Sequence, residues 1–383
     1  MKRRDFLKAT VAAASVSAGL DGLIGISQVA AEEAAFPPIP VYRTLGRTGL
    51  KVAIVSFGAM LTPEYEVIQA ALDMGVNYID TARKYMDGRN EEIVGKAIKG
   101  RRDKVFIATK TLATSTTKAE IIHDVETSLG KLKTDHIDVI QLHNVENKNK
   151  ERIFNHDTRE ALVELRKQGK VRFFGVTSHT NQADILDAIV NDPDKFFDTA
   201  LIKYNFLSES ELKPAVDRAA KAKIGIIAMK TQMGGYKTDA MGKTTPHQAA
   251  LKWVLQDTNV TTTIPGMKDM DMLREDIAVM GMKLTSADNK LLERYSRAIE
   301  GFYCHLCARC EPTCPHGVFI STINRSLMYA EGYGNLALAR ATYRDISADA
   351  SATACANCTS CKADCIHGLD ISARMNKARA LFG

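Results

Sequence analysis

The eight cysteines of this 383-residue chain form two groups with the same spacing, and all of them lie in the last 80 residues. Each group has the form Cys-x2-Cys-x2-Cys-x3-Cys. In bacterial ferredoxins, three thiolates of such a run bind one [4Fe-4S] cluster and the fourth binds the other cluster. The spacing therefore predicts two [4Fe-4S] clusters with crossed ligands. The predicted ligands are Cys304, Cys307, Cys310 and Cys365 for the first cluster, and Cys355, Cys358, Cys361 and Cys314 for the second.

Zinc binding and disulfide bonds are the alternative uses of these cysteines. Four-cysteine zinc sites have longer gaps between their cysteine pairs, and the cysteines of an exported chain can pair with one another. Neither alternative explains why the same spacing occurs twice. Between the two groups, residues 320–330 and 336–344 have helical patterns. We therefore predict a small, all-α, ferredoxin-like domain at residues 300–383.

A second set of reactive side chains lies in the first half of the chain. Asp80, Lys110 and His143 each end an apolar, strand-like segment, and Tyr85 follows Asp80 by five residues. A nearby lysine ammonium favours a phenolate and lowers the phenol pKa from about 10. A histidine can orient a substrate oxygen through a hydrogen bond. This combination suits proton donation to a carbonyl oxygen, and a nicotinamide cofactor is the usual source of the hydride.

The segments that position these residues alternate between strands and helices. Near-continuous apolar strands separated by helical segments indicate a parallel sheet covered on both faces. Eight such units in about 230 residues predict a (β/α)8 TIM barrel, whose active site lies at the carboxyl ends of the strands. A final helix is predicted to end near residue 299. The predicted strands are residues 52–57, 76–80, 105–110, 137–143, 171–176, 199–204, 224–230 and 261–265.

Residues 41–299 resemble the aldo-keto reductase family. The segment Asp-Thr-Ala-Arg-Lys-Tyr at 80–85 matches a family signature, and six other segments match in the family's order. The resemblance implies that Tyr85 is the general acid and that Lys110 lowers its pKa. It also implies that Asp80 supports Lys110 and that His143 orients the carbonyl group. The other matching segments are residues 42–50, 108–110, 141–143, 175–178, 204–205 and 264–266.

The resemblance also implies a nicotinamide cofactor, NADP or NAD, but several cofactor positions depart from the family. Lys203 stands where glutamine is common, and Met229 stands where an aromatic side chain stacks on the nicotinamide. Met272 replaces the arginine that NADP-binding members carry, a charge-assisted contact worth about 1.5–3 kcal/mol. The positions assigned to the cofactor are Thr177, Ser178, Lys203, Met229, Gly266, Lys268 and Arg274.

The N-terminus has the organisation of an export signal. A basic start with paired Arg3 and Arg4 precedes an apolar stretch that is too short for a strong membrane span. Residues 1–31 resemble a twin-arginine (Tat) signal peptide, which predicts export to the periplasm by the Tat machinery. A general secretory signal and an uncleaved membrane anchor are the alternatives. Some aldo-keto reductases carry a cysteine-rich tail, so the whole chain resembles an iron-sulfur subfamily of that family.

The distribution of charge argues against one class of function, nucleic-acid binding. The net charge is +6, but the basic residues are spread along the chain, so we predict no nucleic-acid partner. We expect an exported oxidoreductase that interconverts a small carbonyl and an alcohol, with the clusters relaying electrons to a redox protein or a quinone. The alternative is an electron-transfer or structural iron-sulfur protein whose barrel no longer uses an exchangeable nicotinamide.

Overall fold

Eight parallel strands form one sheet whose strand order follows the chain. The computed structural model describes residues 38–236 and 245–383. Two parallel bridges, Val55 to Thr263 and Gly58 to Gly266, join the first strand region of this sheet to its last and close the barrel. The described strands are β1 (Tyr42–Thr44), β2 (Lys51–Ala53), β3 (Phe57–Gly58), β4 (Tyr78–Asp80), β5 (Phe106–Lys110), β6 (Ile137–Leu142), β7 (Val171–Ser178), β8 (Thr199–Lys203), β9 (Gly225–Met229) and β10 (Val260–Thr263).

A helix follows each of the strands β3 to β9, so the predicted (β/α)8 barrel is confirmed. Apolar side chains fill the space between the sheet and these helices, and a smaller apolar cluster fills the barrel interior. The described helices are α1 (Tyr65–Asp73), α2 (Asn90–Ala97), α3 (Lys118–Leu132), α4 (His156–Lys167), α5 (Gln182–Val190), α6 (Leu212–Lys221), α7 (His247–Leu255), α8 (Met270–Ile277), α9 (Ser286–Ile299), α10 (Ile320–Glu331), α11 (Leu336–Tyr343) and α12 (Ile371–Phe382).

The first predicted strand, residues 52–57, is wrong as a single element. Its start belongs to β2, which pairs antiparallel with β1, and only its last residue belongs to the barrel strand β3. Leu45, Leu50 and Val52 from this hairpin pack with side chains of the barrel interior, so the hairpin covers one end of the barrel. The apolar pattern is continuous across both strands because both are buried, and hydropathy therefore does not mark the division between them.

The cap of the barrel's last helix agrees with the sequence pattern. The Thr285 side chain accepts from the backbone of Asp288, and the Asp288 carboxylate accepts from the Thr285 backbone. This reciprocal pair satisfies two backbone N–H groups at the helix start. The helix ends at Ile299, and the chain then enters the cysteine-rich part of the molecule.

The C-terminal region, residues 300–383, contains α10, α11 and α12 and, in its described residues, no strand. This helical content agrees with the prediction, while the ferredoxin-like identity and the domain limits stay predictions. The region packs on the carboxyl ends of the strands, and α10 is buried along ten successive residues from Ile320 to Tyr329. The C-terminal region therefore covers the end of the barrel at which the reactive side chains lie.

The predicted signal peptide, residues 1–31, lies outside the described residues. Within residues 38–236 and 245–383, no helix is long and apolar enough to cross a membrane.

Candidate active site

Three neighbouring strands bring Asp80, Lys110 and His143 to one end of the barrel. In the register, Asp80 lies beside Ala108 and Lys110 beside Gln141, so the ends of β4, β5 and β6 are close together. Lys110 Nζ donates to Asp80 Oδ1 at 2.5 Å and to the Thr81 carbonyl at 2.7 Å. Gln141 Nε2 donates to Asp80 Oδ2 at 2.9 Å. Both Asp80 carboxylate oxygens therefore accept hydrogen bonds from fixed donors.

Gln141 was not identified from the sequence as a functional residue. It is fully buried, and its side chain holds the second oxygen of Asp80. The only sequence signal was its place in the segment that ends at His143. Residues 141–143 match a motif of the family, but this match does not reveal that Gln141 contacts Asp80.

Tyr85 lies in the loop above β4, next to the other three residues of the set. The Lys110 ammonium lies 4.8 Å from the centre of the Tyr85 ring, and the His143 ring centre lies 6.2 Å from it. The two residues after Tyr85 have left-handed backbone conformations, with φ of 53° for Met86 and 54° for Asp87. Non-glycine residues rarely adopt this conformation, and such strain is common beside functional groups. Asp80, Tyr85, Lys110 and His143 form one constellation, which we call the catalytic set.

The influence of Lys110 on the Tyr85 pKa stays a prediction, because other groups dominate that pKa in the resting structure. Burial and the Asp80 carboxylate raise the pKa of Tyr85 well above its usual value, and the Arg325 guanidinium offsets this only in part. The positive charge of Lys110 is directed to Asp80 and the Thr81 carbonyl. Tyr85 is therefore a neutral phenol that keeps its proton until a strongly basic oxygen forms beside it.

His143 is a neutral imidazole. Burial lowers its pKa well below the usual value, and the charges of Lys110, Arg325 and Arg152 lower it further. The Arg152 guanidinium donates to the His143 backbone carbonyl at 2.8 Å, which fixes the end of β6. A neutral imidazole has one N–H donor, so His143 is able to donate a hydrogen bond to a substrate oxygen.

Comparison with known proteins agrees with this geometry. Residues 61–246 match the model of the Aldo/keto reductase family. The oxidoreductase YqkF of Bacillus subtilis is 28% identical over 303 residues, which are 67% of this chain and 96% of that protein. The barrel contains an aldo/keto reductase family domain. Methylglyoxal reductase YeaE of Escherichia coli is 27% identical over 256 residues, which are 62% of this chain and 86% of that protein.

Solved structures agree on the fold of the barrel. The holo form of aldo-keto reductase AKR11C1 from Bacillus halodurans superimposes with a TM-score of 0.57 at 23% sequence identity. The similarity covers 67% of this chain and 96% of that one. Together with the family match, these relatives show that the chain is an oxidoreductase of the aldo-keto reductase type.

The positions assigned to a nicotinamide are partly bonded within the protein. Lys203 Nζ, at the end of β8, donates to the backbone carbonyl of His305 at 2.7 Å. Ser178 Oγ donates to the Thr180 carbonyl at 2.6 Å, and Thr177 Oγ1 accepts from the Asn144 backbone at 2.8 Å.

Met229 packs with the side chains of the barrel interior, and Asn205 Nδ2 donates to the Lys230 carbonyl and, at 3.3 Å, to the Tyr303 hydroxyl. Tyr303 belongs to the C-terminal region, as does His305, which accepts from Lys203. In this arrangement the nicotinamide end of the cofactor site does not fit a bound nicotinamide, because its polar groups are bonded to the C-terminal region or to neighbouring groups of the barrel.

The remaining cofactor positions lie apart from these. Gly266 lies beside the Leu61 side chain, where an added Cβ would be 3.0 Å from Leu61 Cδ1. Lys268 is exposed, and Arg274 forms an ion pair with Asp271 at 3.6 Å. Within the described part of the chain, no hydrogen bond or ion pair joins Lys268 or Arg274 to Lys203 or Ser178.

The glycine loop after β9 packs against the C-terminal region. Gly234 has a φ of +83°, and an added Cβ would lie 2.7 Å from Met328 Cγ. Gly234 therefore gives α10 the space for its close approach to the barrel.

The eight cysteines are free thiols that fall into the two predicted sets. Cys310 is electrostatically coupled to Cys304, Cys307 and Cys365, and burial together with these neighbours raises its pKa. Cys355 is coupled in the same way to Cys358, Cys314 and Cys361. The donor sets fit two metal clusters with crossed ligands, because each set contains three thiols of one run and the fourth thiol of the other.

The first cysteine set lies against the barrel. The Lys203 ammonium, which donates to the His305 carbonyl, also acts electrostatically on Cys304 and Cys307. The rings of His305 and His367 stack at 3.7 Å between their centres, and His367 Nε2 lies 2.9 Å from Glu209 Oε1. The loop that carries this first cysteine set is therefore in direct contact with the carboxyl end of β8.

Proposed function

We propose that this protein is an exported oxidoreductase that interconverts a small carbonyl and an alcohol in the barrel and relays electrons through two [4Fe-4S] clusters. The geometry of the catalytic set supports this proposal most strongly. The contact from Lys203 to His305 joins the barrel site to the loop that carries the first cysteine set. A redox protein or a quinone is the proposed electron partner.

Proton transfer in this proposal belongs to Tyr85. A phenol with a raised pKa does not ionise in the resting enzyme, but it can protonate the more basic alkoxide that forms when a carbonyl is reduced. The phenolate left behind faces the Lys110 ammonium, whose charge then stabilises it. The neutral His143 donates a hydrogen bond that orients the substrate oxygen.

The two cysteine sets would hold the clusters. Cys304, Cys307, Cys310 and Cys365 would bind the cluster nearer the barrel, and the other four cysteines would bind the second. Each [4Fe-4S] cluster, when bound, supplies or accepts electrons one at a time.

The hydride donor in this family is generally NADP or NAD. In this arrangement, however, the nicotinamide positions of the barrel do not fit a bound nicotinamide. A second candidate function follows from the same contacts. If Lys203 and Asn205 stay bonded to the C-terminal region, the protein transfers electrons and does not use an exchangeable nicotinamide.

Export and substrate complete the proposal. The paired Arg3 and Arg4 support transport to the periplasm by the Tat machinery. The similarity to a methylglyoxal reductase supports a small carbonyl compound as the substrate. Replacing both arginines, Arg3→Lys with Arg4→Lys, tests the route, and the expected result is retention of the protein in the cytoplasm. Unchanged export would contradict the Tat assignment.

An anaerobic titration of the cluster-loaded protein with NADPH, and then with NADH, separates the two candidate functions. Cluster absorbance and nucleotide oxidation are followed together. Bleaching of the clusters by either nucleotide supports the coupled reductase. If neither nucleotide binds or bleaches the clusters, and denaturation releases no trapped nucleotide, the electron-transfer function is favoured.

A further inference from the structure

The catalytic set lies among more positive charges than negative ones. Lys110 is paired with Asp80, but Lys230 and Arg325 form no ion pair with any residue in 38–236 or 245–383. Lys230 lies just beyond β9 and Arg325 lies on α10, so two different elements direct cations at the same place. Burying charges without partners is unfavourable, and an anion placed between them would remove that cost.

Of these two cations, Arg325 is the one with a buried donor atom that lacks a hydrogen-bond partner among the described residues. Its side chain is buried, with 7% of its surface exposed, and Nη1 donates to Asn144 Oδ1 at 2.8 Å. The Arg325 Nε atom has no hydrogen-bond partner among the described residues. Asn144 directly follows His143, so the guanidinium is fixed beside the residue that orients the substrate oxygen.

His179 also has a buried polar atom without a hydrogen-bond partner among the described residues. It exposes 8% of its surface, and its Nδ1 atom has no partner within the described part of the chain. His179 follows β7, which pairs with β6, the strand that ends just before His143, so the two histidines lie at neighbouring strand ends. Burial lowers the pKa of His179, and the charges of Arg325 and Lys230 also lower it. Buried polar atoms without partners are rare in proteins and indicate a ligand or an ordered water.

Two residues of the catalytic set remain accessible to a ligand. Tyr85 and His143 lie beneath the C-terminal region, yet both keep a part of their surface accessible to solvent. Lys230 is already engaged by Tyr329 and Tyr333, whose ring centres lie 4.6 and 5.2 Å from its Nζ, and it donates to the Tyr333 hydroxyl at 3.4 Å. Arg325 and His179 are therefore the donors that remain for a ligand.

We propose that the substrate carries a carboxylate close to its reacting carbon, and that Arg325 of the C-terminal region binds this carboxylate together with His179. This inference rests on the proposed carbonyl–alcohol function and names its substrate class, a small oxo or hydroxy carboxylate. A guanidinium presents paired donors that match the two oxygens of a carboxylate. The C-terminal region thereby completes the substrate site of the barrel.

Binding of two small analogues tests this site without turnover. Oxamate has a carboxylate where the neutral oxamide has an amide, and the two are otherwise closely matched. Anaerobic calorimetry on the cluster-loaded full chain is expected to show oxamate binding at least about 10-fold more tightly than oxamide, a difference of about 1.4 kcal/mol. Equal binding of the two, or no binding of oxamate at millimolar concentration, would overturn the proposal.

Variants locate the contact. Arg325→Met is expected to weaken oxamate binding about 10- to 100-fold, in the range of a lost charge-assisted contact, and Arg325→Lys is expected to weaken it less. The exposed Arg340, on α11, gives the control variant Arg340→Met, which is expected to bind oxamate as the wild type does. Unchanged oxamate binding by Arg325→Met would show that the carboxylate binds elsewhere. If that variant does not fold, the comparison of oxamate with oxamide on the wild-type protein still tests the proposal.

Tyr85→Phe separates this proposal from the proposed function. The variant removes the proton donor but leaves Arg325 and His179 in place, so oxamate binding is expected to persist. If oxamate binds through Arg325 but the wild type reduces no carbonyl compound, the anion site is correct and the reductase function is wrong. If carbonyl reduction is found without a preference for carboxylates, the reductase function stands and the anion site is wrong.

Discussion

The catalytic set of the barrel and the cysteines of the C-terminal region are positioned in different ways. Asp80, Lys110 and His143 come from three strands, and only the parallel register of β4, β5 and β6 brings them together. Three cysteines of each set instead come from one short run of the chain. The barrel site therefore depends on the whole sheet, whereas each cysteine set depends mainly on a local loop and on one crossing contact.

This difference shows which contacts matter for coupling the two regions. The bonds from Lys203 to His305 and from Arg325 to Asn144 cross between the regions at the active site. If the two regions act as one enzyme, changes at these contacts affect the barrel chemistry. If the regions act separately, changes in the cysteine sets leave the barrel site intact.

The largest expected effect comes from Tyr85→Phe. General acid–base catalysis contributes typically about 10²- to 10⁴-fold to a rate, so we expect a loss of that size in kcat for carbonyl reduction. The melting temperature and the cluster absorbance should not change, because the catalytic role of Tyr85 is confined to the barrel. The exposed Tyr65 provides the control Tyr65→Phe. Wild-type activity in Tyr85→Phe would remove Tyr85 from the mechanism.

Removing the cation of the buried pair should have the next largest effect. Lys110→Met leaves the Asp80 carboxylate buried without its partner, which costs about 3–5 kcal/mol in such pairs. Chemical denaturation of the cluster-loaded protein measures this loss. The double variant Lys110→Met with Asp80→Asn should recover most of the stability but none of the activity. Recovery of activity as well would contradict the role of Lys110 in stabilising the phenolate.

A matched pair of cysteine variants sharpens the comparison of the two sets. Cys307→Ser alters the set beside the barrel, and Cys361→Ser alters the set that is farther along the chain. Each is expected to lower the iron content from about eight toward about four atoms per chain, since each set binds one [4Fe-4S] cluster. Only Cys307→Ser should also change barrel activity, because the Lys203 contact lies beside this set.

Iron analysis and activity assays on the two cysteine variants provide the readout. Equal effects on activity would argue against a special link between the first set and the barrel. If Cys307→Ser disrupts the fold but retains the reduction signals of both clusters, only a structural role remains for the cysteines.

The smallest expected effect on stability is that of Lys203→Gln, which restores the residue that the family commonly has at this position. Losing the bond to the His305 carbonyl should lower the free energy of unfolding by about 0.5–3 kcal/mol, because the donor is charged. We also expect nicotinamide binding to become stronger, since the change loosens the contact that covers the site. Isothermal titration with NADPH measures this, and unchanged or weaker binding would contradict a blocking role for the contact.

Much of the architecture followed from local patterns. Strands that end in Asp80, Lys110 and His143 alternate with helices in the sequence, so the barrel and its catalytic set were predictable from periodicity together with the resemblance. The spacing of the cysteines also indicated the crossed sets, because the same short run occurs twice. These features depend on residues that are near in sequence, or on a sheet order that repeats regularly.

Contacts between distant segments were not predictable in this way. Arg325 lies 181 residues from Asn144, and Lys203 lies 102 residues from His305. No periodicity links such positions, and the burial that raises the Tyr85 pKa likewise depends on the packing of the C-terminal region.

Apart from the division of the first predicted strand into β2 and β3, local patterns along the chain indicated the barrel strands, the helices and the reactive groups of each region. Only the tertiary structure decided that the C-terminal region covers the barrel, bonds to the expected nicotinamide positions and directs Arg325 at the catalytic set. The physical reason is that burial and charge pairing depend on which surfaces meet, and that choice is made by the packing of whole elements rather than by the spacing of residues along the chain.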